Sequence, residues 1–496
     1  MAQEVIVIAN RLPVHLVSRP SGPGWETSPG GLVSALHPIM VERGGTWIGW
    51  ADSAGVEIAP FQHDGVQLLP ISLSSEELEG YYDGFSNRTL WPLYHDAIRT
   101  PEFRRSWWRT YERVNRRFAE VAAANATHGA HVWVQDYHLQ LVPEMLRALR
   151  PDLRIGFFLH IPFPPQELFS QLPWRERILE GLLGCDVFGC QTAVGVSNFA
   201  ELAQRYIGAR REGDHLRFQG RTVRFRSFPI SIAFDRYARL AASESVRRAA
   251  AAVRERLGAS RKIFLSVDRL DYTKGIDQRL QAFQQLLESG KASSDECVLV
   301  QTCVPCRERV SEYETQKLRV EQLVGRIQGK FGRLGIPAVD YLHRNLQLED
   351  LVALYVAADV MVVTPLRDGM NLVSKEYVAS RLDDSGVLVL SEFAGAAHEL
   401  QRALIVNPHD IDGMADTLYQ ALHLPREEQR ERMHGMRELV RSADVHRWAE
   451  SFLSALERPS ERVARGRGDR PHEGATPRVA TSGLRPESSS EGRRHD

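Results

Sequence analysis

The chain has 496 residues, 43% hydrophobic and 25% charged, and its 62 Lys and Arg almost cancel 63 Asp and Glu to a formal net charge of -1. That composition describes a soluble globular protein of two or three domains, which we divide into two, and leaves no electrostatic reason to expect nucleic acid or an acidic membrane as partner. No 18-residue apolar run is present to span a bilayer, and Met1–Ile8 is a short apolar strand without a basic n-region, so a cytoplasmic protein is expected.

In chain order, short apolar strands are predicted at 5–9, 46–49, 131–135, 155–159 and 187–190, alternating with helical segments. The first strand ends in Ala9-Asn10-Arg11-Leu12-Pro13, and Ser28-Pro29-Gly30-Gly31-Leu32 opens the next helix. Paired glycines at a helix start let a phosphate or hydroxyl approach the backbone, and Arg11 supplies a fixed cation beside that turn. Tyr82 and Trp91 fall in a polar stretch, Tyr81 to Pro92, read as a loop whose aromatics are core residues or platforms for a sugar ring. Asp136 and His160 stand at strand carboxyl ends, which face the crevice in open α/β sheets. The prolines after His160 end its strand abruptly and expose its side chain, whereas His138 reads as structural.

A proline-marked extended segment at Phe228-Pro229-Ile230-Ser231 precedes a long Ala- and Arg-rich helix and marks a boundary near residue 232. Beyond it, strands are predicted at 263–267, 298–302, 338–342, 360–364, 387–390 and 404–406, spaced by helices as in a doubly wound domain. The class is α/β. After the first of these strands, Asp268-Arg269-Leu270-Asp271-Tyr272-Thr273-Lys274-Gly275 places two cations in one loop, a fork and a point charge suited to a diphosphate. The helix that follows carries Leu280, Phe283, Leu286 and Leu287 on one stripe. Val360 to Glu376 repeats the pattern of strand, glycine-containing loop and helix: backbone N–H groups at the helix start can meet an anion, with Asp368 and Glu376 on either side.

The dinucleotide fingerprint GxGxxG is absent, which disfavours a nicotinamide site. Five cysteines exclude a disulfide framework, and Cys303-Val304-Pro305-Cys306 lacks a second pair or histidines to hold a metal and follows an apolar strand; both are read as inert thiols. From 457 to 496 the composition turns to Arg, Glu, Ser, Pro and Gly, with nine arginines against seven acids; a solvated tail is expected there.

These blocks, with Phe85-Ser86-Asn87, Leu90-Trp91-Pro92 and Gly156-Phe157-Phe158-Leu159-His160-Ile161-Pro162-Phe163-Pro164, resemble the trehalose-6-phosphate synthases, retaining glycosyltransferases of GT-B architecture, over roughly residues 5 to 456. The resemblance implies two facing Rossmann-like domains, 1–232 for glucose 6-phosphate and 233–444 for a nucleotide-diphosphate glucose, with a helix at 445–456 crossing back to the first. It implies that Arg269 and Lys274 hold the donor diphosphate, helped by backbone N–H groups of Leu372 and Val373, that Glu376 holds the ribose, and that Gly31, Gly369, Met370 and Asn371 also bind the donor. Asp368 and His160 would bind hydroxyls of the transferred glucose. Arg11, Trp47, Tyr82, Trp91, Asp136 and Arg307 would hold the acceptor. Arg269, Lys274, His160, Asp136 and Asp368 form the implied catalytic set, with no metal, no cofactor and no covalent intermediate. The implied partners are these small molecules, with self-association into a dimer or tetramer left open.

This chain departs from the family pattern at Cys303–Cys306, where small polar residues commonly precede the acceptor arginine, and at Ala233, where an acid is common. Two alternatives keep the fold: a pseudo-glycosyltransferase that joins a nucleotide-activated cyclitol to an aminocyclitol phosphate, and a silent sugar-phosphate sensor. The donor base, UDP, GDP or ADP, is left open.

Overall fold

Short β-branched runs alternating with helices build two sheets in the computed structural model, which describes residues 4–19, 22–28, 30–51, 54–307 and 309–458. The expected solvated tail lies outside the described residues from 459 onward. The first half forms β1 (Val5–Arg11), β2 (Val14–Arg19), β3 (Gly22–Thr27), β4 (Thr46–Trp50), β5 (Phe61–His63), β6 (Val66–Ile71), β7 (His131–Gln135), β8 (Arg154–Leu159), β9 (Val187–Cys190), β10 (Arg210–Glu212), β11 (His215–Phe218) and β12 (Arg221–Ser227). Except for the β2–β3 hairpin they make one ten-stranded sheet in the order β10-β11-β12-β9-β8-β7-β1-β4-β6-β5. Its centre is parallel and its two edges are antiparallel.

The second half forms β13 (Lys262–Arg269), β14 (Cys297–Val304), β15 (Val339–His343), β16 (Val360–Val363), β17 (Val387–Ser391) and β18 (Leu404–Val406), all parallel, in the order β15-β14-β13-β16-β17-β18. This is the doubly wound order, and it reverses between β13 and β16. The first sheet reverses between β1 and β7. Residues 2 to 7 of β13 are all buried, as a parallel strand covered on both faces requires.

Sequence reading missed β5, β6, β10–β12 and the β2–β3 hairpin. Strands such as Arg221–Ser227 lie toward the sheet edge, where one side chain in two meets water, so arginines replace the apolar run. The single helix expected after residue 232 is two helices, Phe234–Ala242 and Glu244–Leu257, because Ser243 takes extended backbone and caps the second by accepting from Val246 N. The stretch Tyr81 to Pro92, read as a loop, is helical: most of it lies in a wide π-type helix, Leu78–Leu90, launched by a capping box between Ser74 and Glu77 and held by buried Tyr81 and Phe85, and the rest begins the short helix Trp91–Tyr94.

The extended segment after β12 is pinned from three sides: Ile230 N donates to Gln191 Oε1 (2.8 Å), Lys375 Nζ donates to Ile230 O (2.8 Å), and Val445 N donates to Ile232 O (3.0 Å). The last helix, Val445–Glu457, lays Trp448 and Phe452 on the first sheet, against Trp133 (4.9 and 4.6 Å between centroids) and Phe158. Gly156 and Gly189 make room for it; a Cβ on Gly156 would stand 2.5 Å from Phe452. Among the described residues no helix is long and apolar enough to cross a membrane.

Candidate active site

The switch point of each sheet opens a crevice at strand carboxyl ends, and these ends carry most of the polar residues singled out from sequence. β1 ends in Arg11, β7 is followed by Asp136, β8 by His160, β13 ends in Arg269, and Arg307 and Asp368 follow β14 and β16.

Three cations converge on one aromatic patch. Arg11 donates to Tyr82 Oη (3.2 Å) and lies over the rings of Trp50 and Tyr82. Arg307 lies over Trp91, 3.8 Å from the ring centroid, and Arg269 lies 5.3 Å from the same ring. Burial would raise the Tyr82 hydroxyl, yet the charges of Arg11, Arg307 and Arg269 outweigh it and hold its pKa below the usual value. Arg307 is fixed by Asp271, its Nη1 donating to Oδ2 (3.0 Å), by Tyr313, and by Tyr137 Oη, which accepts from Nη2 (3.0 Å). Burial works against a charge on Asp271, but Arg307, Arg269 and Lys274 hold it ionised with a pKa of about 2. Among the described residues Arg269 has no carboxylate partner; a phosphate would meet it directly.

On the other side, Lys274 Nζ donates to Asp368 Oδ2 (2.6 Å), and Asn371 Nδ2 donates to the same oxygen (3.2 Å). Burial opposes ionisation of Asp368, but Lys274 prevails and keeps its pKa below the usual range. Asn371, at φ 74°, caps the helix Leu372–Ser380 by accepting from Ser374 N (3.1 Å). That cap leaves the N–H groups of Leu372 and Val373 without an acceptor among the described residues, an anion seat at a helix start. Glu376 is buried one turn further in; its carboxylate accepts from Tyr237 Oη (2.9 Å) and Tyr355 Oη (2.7 Å), and burial raises its pKa.

His160 and Asp136 join the two groups. His160 N donates to Asp136 Oδ1 (3.1 Å), and the ring contacts Gln135 Oε1 through Nε2 (2.8 Å) and Met370 Sδ through Nδ1 (3.3 Å). Because Gln135 Nε2 points to Trp133 O, its Oε1 must accept; we therefore assign the proton to Nε2 of His160. The His160 side chain, expected to be exposed, is buried because Met370 and Trp448 pack beside its ring; burial lowers its pKa to about 3, so the ring is neutral at physiological pH. Burial also lifts Asp136 to about 6, against backbone N–H groups of Tyr137 and His160 and the charges of Arg269 and Arg307. Gly369 packs on this strand end so closely that a Cβ would stand 2.2 Å from His160 O.

Trp47 takes another position than the acceptor contact expected of it, whereas Gly31 stands at a helix start as expected. Trp47 is wholly buried in the core and reaches the site only by donating from Nε1 to Arg11 O (3.0 Å), which supports the backbone of Arg11 and offers no surface to an acceptor. Gly31 lies against Leu372, 3.1 Å from a Cβ position to Cδ1, and so brings the first helix start to the second. His138 is buried and stacked on Tyr82 (5.8 Å, 9°).

Sequence reading missed the buried scaffold of the site. Arg279, 1% exposed, donates to Asp268 (2.7 Å), Thr364 Oγ1 (3.1 Å), Gln301 Oε1 (3.1 Å) and Lys274 O (3.1 Å), tying the ends of β13, β14 and β16 together. Lys375 pairs with Glu399 (2.8 Å), which also accepts from Gln191. A charge inside an apolar helix stripe is the one signal that could have found Arg279. Cys303 is buried and Cys306 Sγ donates to Leu270 O (3.2 Å); burial raises the two thiols to about 12 and about 11, so neither is poised as a nucleophile. Among the described residues no three His, Cys, Asp or Glu side chains gather as metal ligands.

The Glycosyltransferase family 20 model matches residues 3–458. A trehalose-6-phosphate synthase of Mycolicibacterium vanbaalenii is 53% identical over 469 residues, 91% of this chain and 96% of its own. Among solved structures, a UDP-forming alpha,alpha-trehalose-phosphate synthase of Burkholderia xenovorans in complex with glucose-6-phosphate is 37% identical, with a TM-score of 0.85 over 92% of this chain and all of its own. An E. coli structure bound with UDP-2-fluoro glucose is 34% identical, with a TM-score of 0.84 over 91% of this chain and 99% of its own.

Proposed function

This chain belongs to glycosyltransferase family 20 and shares the GT-B architecture of its relatives, and from that premise we propose that it makes alpha,alpha-trehalose 6-phosphate from a nucleotide-diphosphate glucose and glucose 6-phosphate, retaining the anomeric configuration. One observation carries the assignment of the subsites: Arg269 and Arg307 lie over the same Trp91 ring, so a cation for a leaving diphosphate and a cation for an acceptor phosphate are neighbours.

Arg11, Tyr82 and Arg307 hold the acceptor phosphate, with Trp91 beneath. Arg269, Lys274 and the N–H groups of Leu372 and Val373 hold the donor diphosphate, and Glu376 takes the ribose. His160 and Asp368 orient the transferred glucose, and Asp136 binds an acceptor hydroxyl. The acceptor hydroxyl attacks from the face the diphosphate leaves and passes its proton to the departing phosphate, so neither Asp136 nor Asp368 acts as a glycosidase carboxylate. Charge then grows on the diphosphate, where Arg269 and Lys274 already stand; this preorganised stabilisation supplies the catalysis and leaves a metal no task. The domain limits 1–232 and 233–444, with the last helix returning to the first, are part of the same proposal, as is a cytoplasmic location, which suits five unpaired cysteines.

The experiment is an endpoint assay with glucose 6-phosphate and UDP-, GDP- or ADP-glucose, without added metal. UDP-glucose comes first, because relatives are UDP-forming or bind a UDP-sugar. A disaccharide phosphate cleaved by trehalase after dephosphorylation is expected; no product with any donor refutes the proposal.

A further inference from the structure

We propose that a polar cavity on the outer face of the helix Leu78–Leu90 is a second ligand site, built for a small phosphorylated polyol. The cavity holds about 340 Å³ and is lined by Glu79, Asp83 and Arg88 of that helix with Arg104, Trp107 and Arg309. This size is at the lower end of small-molecule sites. The wide helix explains the segregation: Tyr81 and Phe85 are buried on its inner side, while Glu79, Asp83 and Arg88 share the outer one.

The guanidinium groups are not equivalent. Arg104 is paired with Glu102 (2.8 Å) and covers Trp107, 4.4 Å from the ring centroid. Arg88 and Arg309 have no ion-pair partner among the described residues, and Arg88 Nε is a buried donor without an acceptor. The Arg88 and Arg309 side chains both line the cavity, and a phosphate monoester would pair with the two of them. Asp83 stands near both guanidinium groups, whose charges act against the rise that burial gives its pKa. Asp83 and Glu79 would repel a bare polyanion but accept from hydroxyls. A ligand with an anionic end and a hydroxylated chain meets both halves of the lining.

The site has a built-in route to the acceptor subsite. Asp83 follows Tyr82, and Arg309 stands two residues after Arg307. A ligand bridging Arg88 and Arg309 therefore joins the two segments that carry the acceptor clamp and, by linkage, tightens acceptor binding. This last step rests on the acceptor reading of Tyr82 and Arg307; the existence of the site does not.

Calorimetric titration of the full chain with glycerol 3-phosphate, glycerol and inorganic phosphate tests it. Glycerol 3-phosphate should bind the wild type and Arg11→Gln alike, and at least about tenfold more weakly the double variant Arg88→Gln/Arg309→Gln, whose turnover without effector should equal wild type and thereby report correct folding. Glycerol should not bind, and inorganic phosphate should bind more weakly. No binding to wild type, equal binding to the double variant, or loss of binding in Arg11→Gln would overturn the site. Equal affinity for inorganic phosphate would overturn the polyol half. In kinetics, saturating glycerol 3-phosphate should lower the KM for glucose 6-phosphate in wild type only; an unchanged KM would overturn the coupling. A failed acceptor reading would show separately, as a normal KM in Arg11→Gln.

Discussion

Lys274 Nζ donates to Asp368 Oδ2 at 2.6 Å, with both side chains 11% exposed, and so clasps the loop after β13 to the loop after β16. A diphosphate that takes Lys274 as a partner enters a site where the lysine is already desolvated and aimed. Replacing Lys274 by Ala should lower kcat at least about a hundredfold while the KM for glucose 6-phosphate moves little. Steady-state kinetics decide this, and turnover within tenfold of wild type would remove Lys274 from the chemical step.

Arg307 meets Asp271, Tyr313, Tyr137 and the Trp91 face at once, a geometry that a planar fork can satisfy and an ammonium cannot. Arg307→Lys should raise the KM for glucose 6-phosphate about tenfold or more, from loss of one or two charge-assisted hydrogen bonds, and leave donor affinity near normal. Equal losses for donor and acceptor would contradict the division of subsites.

Asp136 has a pKa of about 6, raised chiefly by burial. If its carboxylate binds an acceptor hydroxyl, kcat/KM for the acceptor should fall as pH drops through about 6, and Asp136→Asn should be slower but lack that limb. A raised carboxyl pKa favours the fold below its unfolded pKa and loses that contribution as pH rises through 6; Asp136→Asn should therefore gain thermal stability at pH 8. A thermal melt at pH 5 and pH 8 checks the sign.

His95 and His160 are buried, and burial lowers both to about 3. Depressed histidines contribute stability that is complete above about 6.5 and is lost as pH falls toward 3, since the unfolded chain takes up protons that the fold refuses. Each should steepen the loss by up to about 1.4 kcal/mol per pH unit in that window. Urea midpoints from pH 7 to pH 4 should fall less steeply in His95→Gln than in wild type; parallel curves would refute it.

Gly369 has no space for a side chain: a Cβ would stand 2.2 Å from His160 O and 2.7 Å from Ile161 Cα. Gly369→Ala should fold with a lower Tm and lose at least about tenfold in kcat, because the loop bearing Asp368 must move off the strand end that bears His160. Wild-type kcat in a variant with unchanged Tm would show that this contact has slack.

Much of the fold was legible because burial on both faces forces parallel strands into apolar β-branched runs. Val360–Val363 and Lys262–Arg269 were found that way, with the cation-bearing loops that follow them. Edge strands such as Arg210–Glu212 escaped because all three residues are exposed, which removes the apolar run. The π-type helix Leu78–Leu90 escaped because its glycines and polar residues argue for a loop until Tyr81 and Phe85 find a core to enter.

The candidate site divides the same way. Local order along the chain determined which residues stand at strand carboxyl ends and at helix starts: Arg11, Asp136, His160, Arg269, Lys274 and Asp368 are all placed by their own few neighbours. Only the tertiary structure decided that Arg269 and Arg307 share Trp91, that Trp47 stays in the core, that Asp271 anchors Arg307, and that Arg279 binds three strand ends. The physical reason is that a strand or loop is specified by short-range sterics and burial pattern, whereas the partner of a buried charge is specified by which distant segment removes the water around it.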